Sequence, residues 1–192
     1  MPVVIAMMAV TLLTGLATTV VLGTMTETAI AASHGEATAA FYATEAAVEF
    51  AVSDLATADW DAVLSGDLPS AFVDGPPAGM RTVGRATIDL ATATDDTNAL
   101  AGALAAASPY QLYAHGSFVD LVSGPAGASP FYVAVWVANL TAEETGEAEA
   151  RVLGIIGRAY GPSGSRRSIA VSVTRDETAP TSIRVLSWTL LP

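Results

Sequence analysis

FYATEAAVEFAVSDL, residues 41 to 55, decides how this chain is built. Phe41, Val48 and Leu55 stand seven residues apart, with Thr44 and Ala51 between them, so the apolar stripe has the period of a helix. The stretch predicts a helix that buries one face against a body, with Phe41, Val48 and Leu55 as the packing residues. Glu45 and Glu49 lie four apart on one face of that helix and have no basic partner on it. Like charges at that spacing cost on the order of a few tenths of a kcal/mol. The expectation is an arginine, from the body or from a neighbouring chain, beside at least one of them.

Toward the amino terminus the helix does not stop. No proline occurs between Pro2 and Pro69, and alanine is dense throughout TMTETAIAASHGEATAAFYATEAAVEFAVSDLATADW, residues 24 to 60. The reading is therefore one helix from about Val3 to about Leu55, roughly 80 Å long at 1.5 Å per residue. Gly15 and Gly23 flank a run of Thr and Val, weaker helix formers, where the helix would loosen first. Asp54, Asp59 and Asp61, then Gly66 and Pro69, mark the exit into loop.

MPVVIAMMAVTLLTGLATTVVLG, residues 1 to 23, carries no charged side chain. Residues 3 to 22 are long enough to cross a hydrocarbon core as a helix. A cleaved secretory signal finds support in Ala29-Ile30-Ala31, a small-x-small site, but the basic n-region is missing and the apolar run is long. An ordinary anchor carries Lys or Arg on its cytoplasmic flank. The third reading is a processed anchor, from which a basic leader has been cut immediately before Met1. Pro2 suits it, because proline is tolerated in a first helical turn.

Charge follows the same division. The 192 residues carry a net charge of −11, no cysteine and no lysine; all eight basic residues are arginines. The missing lysine removes the P-loop lysine and Schiff-base chemistry, and the missing cysteine removes disulfides and thiolate metal sites. The acidic balance argues against nucleic acid, whose phosphates need a basic face. Residues 1 to 80 hold nine acids and no arginine, whereas the remainder is nearly balanced.

Beyond Arg81 the texture is that of strands. RATIDLATAT (85 to 94) alternates as a half-buried strand, and DDTNALAGALAAAS (95 to 108) reads as a short helix capped by Thr94 or Asp95 and ended by Pro109. PFYVAVWVANL (130 to 140) is the strongest strand. RVLGIIGRAYG (151 to 161) and SRRSIAVSVTR (165 to 175) form a hairpin around Gly161-Pro162-Ser163-Gly164-Ser165, and TSIRVLSWTLL (181 to 191) closes the chain. The expected fold class is α+β: a long amino-terminal helix over 1–57, apolar over 1–23 and amphipathic over 24–57, packed on three or four antiparallel strands of a globular domain over 58–192.

This outline resembles type IV pilins, and the PilX-type pilin-like proteins in particular. The likeness rests on the uncharged apolar start, on FYATEAAVEFAVSDL, and on the late strands FYVAVWVANL and GIIGRAYGPSGSRRSIAVSVTR. It is strongest over residues 1 to 57 and looser over 130 to 175. The resemblance implies a structural subunit whose short basic leader is removed by a prepilin peptidase. Its apolar helix would then pack with other copies of itself, or with other pilins, in a helical filament at the cell surface. The implied assembly helix presents Met1, Val4, Ile5, Met8, Ala9, Leu12, Leu13, Leu16 and Val20. The implied partners also include the pilus assembly machinery, with the inner membrane holding the subunit beforehand. Ile5 departs from the major-pilin pattern, which has glutamate there, and favours a minor PilX-type priming or tip subunit or a pseudopilin. No cysteine pair closes a carboxy-terminal loop. The alternative of another class is a single-pass, membrane-anchored extracytoplasmic binding domain.

No catalytic, cofactor or metal constellation emerges. His34 and His115 are read as packed or exposed histidines, since two histidines without cysteine do not build the common zinc sites. Gly161 to Ser165 misses the G-x-S-x-G elbow at its last position and is a turn. Glu143, Glu144, Glu147 and Glu149 are the one group able to attract a hard cation, but a solvated acidic loop explains them more simply. Asn139-Leu140-Thr141 has the form of a glycosylation tripeptide. Trp60, Trp136 and Trp188 can line a binding face, with core packing expected for at least two.

Overall fold

Ala40, Ala43, Thr44, Ala47, Val48, Ala51 and Leu55 recur at helical spacing, and every one is buried. The buried stripe is thus mostly alanine, which lets a helix lie close to whatever it packs on. In the computed structural model, residues 2–101, 106–122, 130–140, 151–176 and 179–191 are described. They belong to two compact units, Met1–Thr38 and Ala39–Pro192. The helix α1 runs from Pro2 to Thr57, so its second part belongs to the globular unit.

After α1 come α2 (Trp60–Ser65), the hairpin β1 (Met80–Val83) and β2 (Ala86–Asp89), and α3 (Leu90–Ala101). Next are β3 (Gln111–Ser117), the single turn α4 (Phe118–Leu121), and the strands β4 (Tyr132–Leu140), β5 (Val152–Tyr160), β6 (Arg166–Asp176) and β7 (Ala179–Leu191). Strands β3 to β7 form one sheet in sequence order, with every neighbouring pair antiparallel. The chain is α+β, a long amino-terminal helix packed on a five-stranded antiparallel sheet.

Alternation explains the layers. Val133, Val135, Val137, Leu153, Ile155, Ile169, Val171 and Val173 point to one face, where they meet the alanine stripe of α1. Ala134, Trp136, Ala138 and Ile156 point to the other, where they meet Ala93 of α3, while Tyr132 packs with Val83, Ile88 and Leu90. Strands β4 and β5 are flanked on both edges and covered on both faces, hence their near-continuous burial. Gly157 marks the closest approach of helix and sheet: a Cβ there would lie 2.4 Å from Val48 Cγ2.

Several local readings are corrected. Helix α3 starts at Leu90, not at Thr94 or Asp95, because the Asp89 carboxylate accepts from Ala91 N (3.2 Å) and Thr92 Oγ1 (2.8 Å). The strand expected over 85 to 94 therefore shrinks to β2. It pairs with β1, which had no strand signal of its own, across a turn at Gly84 and Arg85. Gly84 has φ 59° and sits against Pro162 of the β5–β6 turn, so any Cβ there is excluded twice. Helix α2 intervenes where loop was expected: Asp59 caps it through Asp61 N at 3.0 Å, and Gly66 ends it at φ 81°. The sheet also has one strand more than expected, β3.

The end of α1 is held by side chains from elsewhere. Its Leu55 carbonyl accepts from Trp60 Nε1 (2.9 Å) and Arg175 Nη2 (3.0 Å), and Arg175 Nη2 also donates to the Ala58 carbonyl. The Arg175 guanidinium lies 4.5 Å from the centre of the Trp60 ring. A cation over an aromatic face, at the negative end of a helix, satisfies carbonyls that the helix itself leaves orphaned.

Candidate assembly surface

Within the unit Met1–Thr38, residues 2 to 23 of α1 carry no charged side chain, and every one of them is exposed. Val4, Ile5, Met8, Ala9, Leu12, Leu13, Leu16 and Val20 are all exposed, Leu12 to 72% and Val20 to 61%. Met1 lies outside the described residues. Among the described residues this is the one helix long and apolar enough to cross a membrane. The exposed run continues through Met25 and Ile30, so the apolar surface outlasts the uncharged segment.

The threonines of this helix are not polar in effect. Thr14, Thr18, Thr19, Thr24, Thr26 and Thr28 each donate their hydroxyl to the carbonyl four residues back, at 2.8 to 2.9 Å. A hydroxyl satisfied within its own helix needs no water, and so suits an environment of lipid or apolar side chains. The stretch Thr14 to Gly23, expected to loosen, is helical throughout. Among the described residues, nothing lies within 4 Å of where a Cβ would stand at Gly15 or Gly23, so no packing among them requires either glycine.

In the globular unit, Val48 and Leu55 are fully buried in the main core, and Phe41 is half-buried beside it with its ring 5.6 Å from that of exposed Tyr42. Glu45 is half-buried and Glu49 exposed. Neither forms an ion pair among the described residues, so the body arginine expected beside them is not found there. Asp54 fares differently: Tyr113 Oη and Ser70 Oγ both donate to its Oδ2, at 2.7 and 2.6 Å.

His34 is exposed. His115 is 2% exposed and lies in a polar cluster that its sequence neighbours did not announce. Asp74 Oδ1 accepts from Tyr132 Oη (2.9 Å) and Arg81 Nε (3.1 Å), and it lies 2.9 Å from His115 Nδ1. Burial pushes the His115 imidazole below its ordinary pKa despite the carboxylate beside it. Burial pushes the Asp74 carboxyl up, but the hydrogen bonds from Tyr132, Arg81 and His115 outweigh that and hold it below the usual range. The backbone completes the clasp, with His115 N donating to Phe72 O and Asp74 N to His115 O. The cluster fastens residues 70–74 along the outer edge of β3, which otherwise presents unpaired backbone groups.

Trp60 and Trp136 are buried, and Trp188 is 42% exposed on the edge strand β7. Gly161 to Ser165 forms a turn closed by Gly161 N to Ser165 O at 2.7 Å. Asn139 and Leu140 end β4; Thr141 and the Glu143 to Glu149 cluster lie outside the described residues. No group of three or more potential metal ligands occurs among the described residues. One charged residue escaped the sequence reading altogether. Arg158, two residues before the end of the hydrophobic strand β5, points to the α3 side of the sheet and is buried there, 5.4 Å from the Trp136 ring. Its only signal was a charge inside an apolar run.

Comparison with family models, with curated proteins and with solved structures finds no match.

Proposed function

We propose that the chain is a structural subunit of a pilin-like filament, assembled through the apolar part of α1 and displaying the sheet domain outward. The observation that carries this reading is the exposed helix surface from Val3 to Ile30, continuous with a helical stem that packs on an antiparallel sheet. In water such a surface is untenable, because each large aliphatic side chain left exposed forgoes about 1.5–3 kcal/mol of burial. A bundle of like helices buries it as well as lipid does, so one segment serves both a membrane-held pool and a polymer. Self-bonded threonines and small residues let such helices approach closely. A single-pass, membrane-anchored extracytoplasmic binding domain acting alone is the second reading, favoured by the length and apolarity of α1, which suffice to cross a membrane.

Filaments sheared from cells, with and without Ala9→Arg, separate the two. An arginine in an apolar seam costs about 2.5–3.5 kcal/mol even on insertion scales. Filaments sheared from cells carrying Ala9→Arg are expected to lack the variant, while the sheet domain keeps its native tryptophan fluorescence. Absence of the unsubstituted chain from the sheared fraction would reduce α1 to a plain anchor, and normal amounts of the variant there would remove this helix face as the assembly element.

A further inference from the structure

A cleft of about 400 Å³ opens where α3, the β1–β2 hairpin and the β5–β6 turn meet. Met80, Ile88 and Ala93 supply apolar wall, Tyr160 an aromatic one, and Arg158 contributes its guanidinium. The size is that of a small-ligand site, and the mixture of apolar wall with few polar groups is what such sites show.

Arg158 is the unusual component. It is 4% exposed, and an arginine cannot shed its charge, so burial must be balanced by partners. Those present are neutral: Nε donates to Ser168 Oγ at 2.9 Å, Nη1 reaches Tyr160 Oη at 3.5 Å, and the Trp136 ring lies 5.4 Å away. No carboxylate lies within 4.0 Å of it among the described residues. Asp89 also lines the cleft, but its oxygens are engaged at the start of α3 with Ala91 N and Thr92 Oγ1. Asp96, on the exposed side of α3, and Arg166 complete the charged lining.

We propose that this cleft binds a small monocarboxylate with an apolar body, its carboxylate paired with the Arg158 guanidinium and its body against Met80, Ile88 and Ala93. A guanidinium offers a planar fork that a carboxylate matches with two parallel hydrogen bonds. With Nε held by Ser168, the terminal nitrogens of Arg158 are the donors left for a ligand. The two aspartates disfavour a second negative charge on the ligand, which sets a monocarboxylate above a dicarboxylate. The proposal stands apart from the filament reading, since it concerns the globular unit alone.

The test uses the full chain dispersed in detergent, with isovalerate as probe and isovaleramide as its neutral isostere, both followed by calorimetric titration. Isovalerate is expected to bind saturably and isovaleramide not. Arg158→Lys, which keeps the charge and loses the fork, is expected to weaken isovalerate about tenfold or more. Arg166→Ala, at an exposed position, leaves the fold untouched and is expected to weaken it by a smaller factor. Equal binding of acid and amide, unchanged affinity in Arg158→Lys, or no saturable binding to the unsubstituted chain would each overturn the proposal. So would tighter binding of glutarate than of isovalerate.

Discussion

Adding one methyl group at Gly157 tests how tightly α1 is seated on the sheet. The new Cβ would lie 2.4 Å from Val48 Cγ2, far inside contact distance, while Thr44 Cγ2 and O stand at 3.4 and 3.5 Å, ordinary contacts. Val48 cannot swing away cheaply, because a β-branched side chain in a helix keeps essentially one rotamer. Gly157→Ala is therefore expected to destabilise by about 1–3 kcal/mol, the usual cost of an overpacked core. Val48→Ala alone removes two methyl groups from a fully buried site and is expected to cost about 2 kcal/mol. In that background the clash disappears and the new methyl occupies vacated space. The substitution also restricts the unfolded chain, which favours alanine over glycine by about 0.4–1 kcal/mol. So the sign inverts: Gly157→Ala destabilises the native chain and stabilises Val48→Ala. Urea unfolding in detergent, followed by the fluorescence of buried Trp60 and Trp136, measures all four members of the cycle. A coupling below about 0.5 kcal/mol, the noise of independent sites, would refute the close seating of helix on sheet.

Two further substitutions probe the clasps that hold the elements. Because the folded His115 titrates below its ordinary value of 6.5, the unfolded chain takes up that proton first as pH falls. Stability is then complete above that value and declines as pH drops toward the folded pKa, with Asp74 adding a second loss at still lower pH because its folded pKa is also depressed. Urea midpoints should fall as pH drops below the ordinary histidine value of 6.5, and His115→Gln should flatten that slope; an unchanged slope would remove His115 as its source. Arg175→Met should cost about 1–3 kcal/mol, since the Leu55 and Ala58 carbonyls lose a charged donor and Trp60 its cation. A denaturation midpoint equal to that of the native chain would show that water replaces the guanidinium at no cost.

The long helix was legible from residues alone because helical hydrogen bonds are local, and an uninterrupted run of helix formers without proline carries its own instruction. The strands β4 to β7 were legible for a related reason: their β-branched and aromatic runs are longer and stronger than any alternative. What escaped were elements whose stability comes from neighbours. Strand β3 contains Gly116 and His115 and is a strand because β4 pairs with one side of it and residues 70–74 clasp the other. The start of α3 depended on whether Asp89 would cap a helix or continue a strand, and the hairpin it belongs to settles that only by docking Gly84 on Pro162. The heptad of Phe41, Val48 and Leu55 pointed to the right face of α1, yet the seat is made by alanines, whose small size has meaning only opposite Gly157. Arg158 shows the limit most clearly. A charge within an apolar strand reads as a blemish in one dimension; only the second layer, α3 and the hairpin over the far face of the sheet, turns it into a buried guanidinium at the wall of a cleft. Local hydrogen bonding and hydropathy are written along the chain, whereas burial on two faces is a property of residues brought together from far apart in sequence.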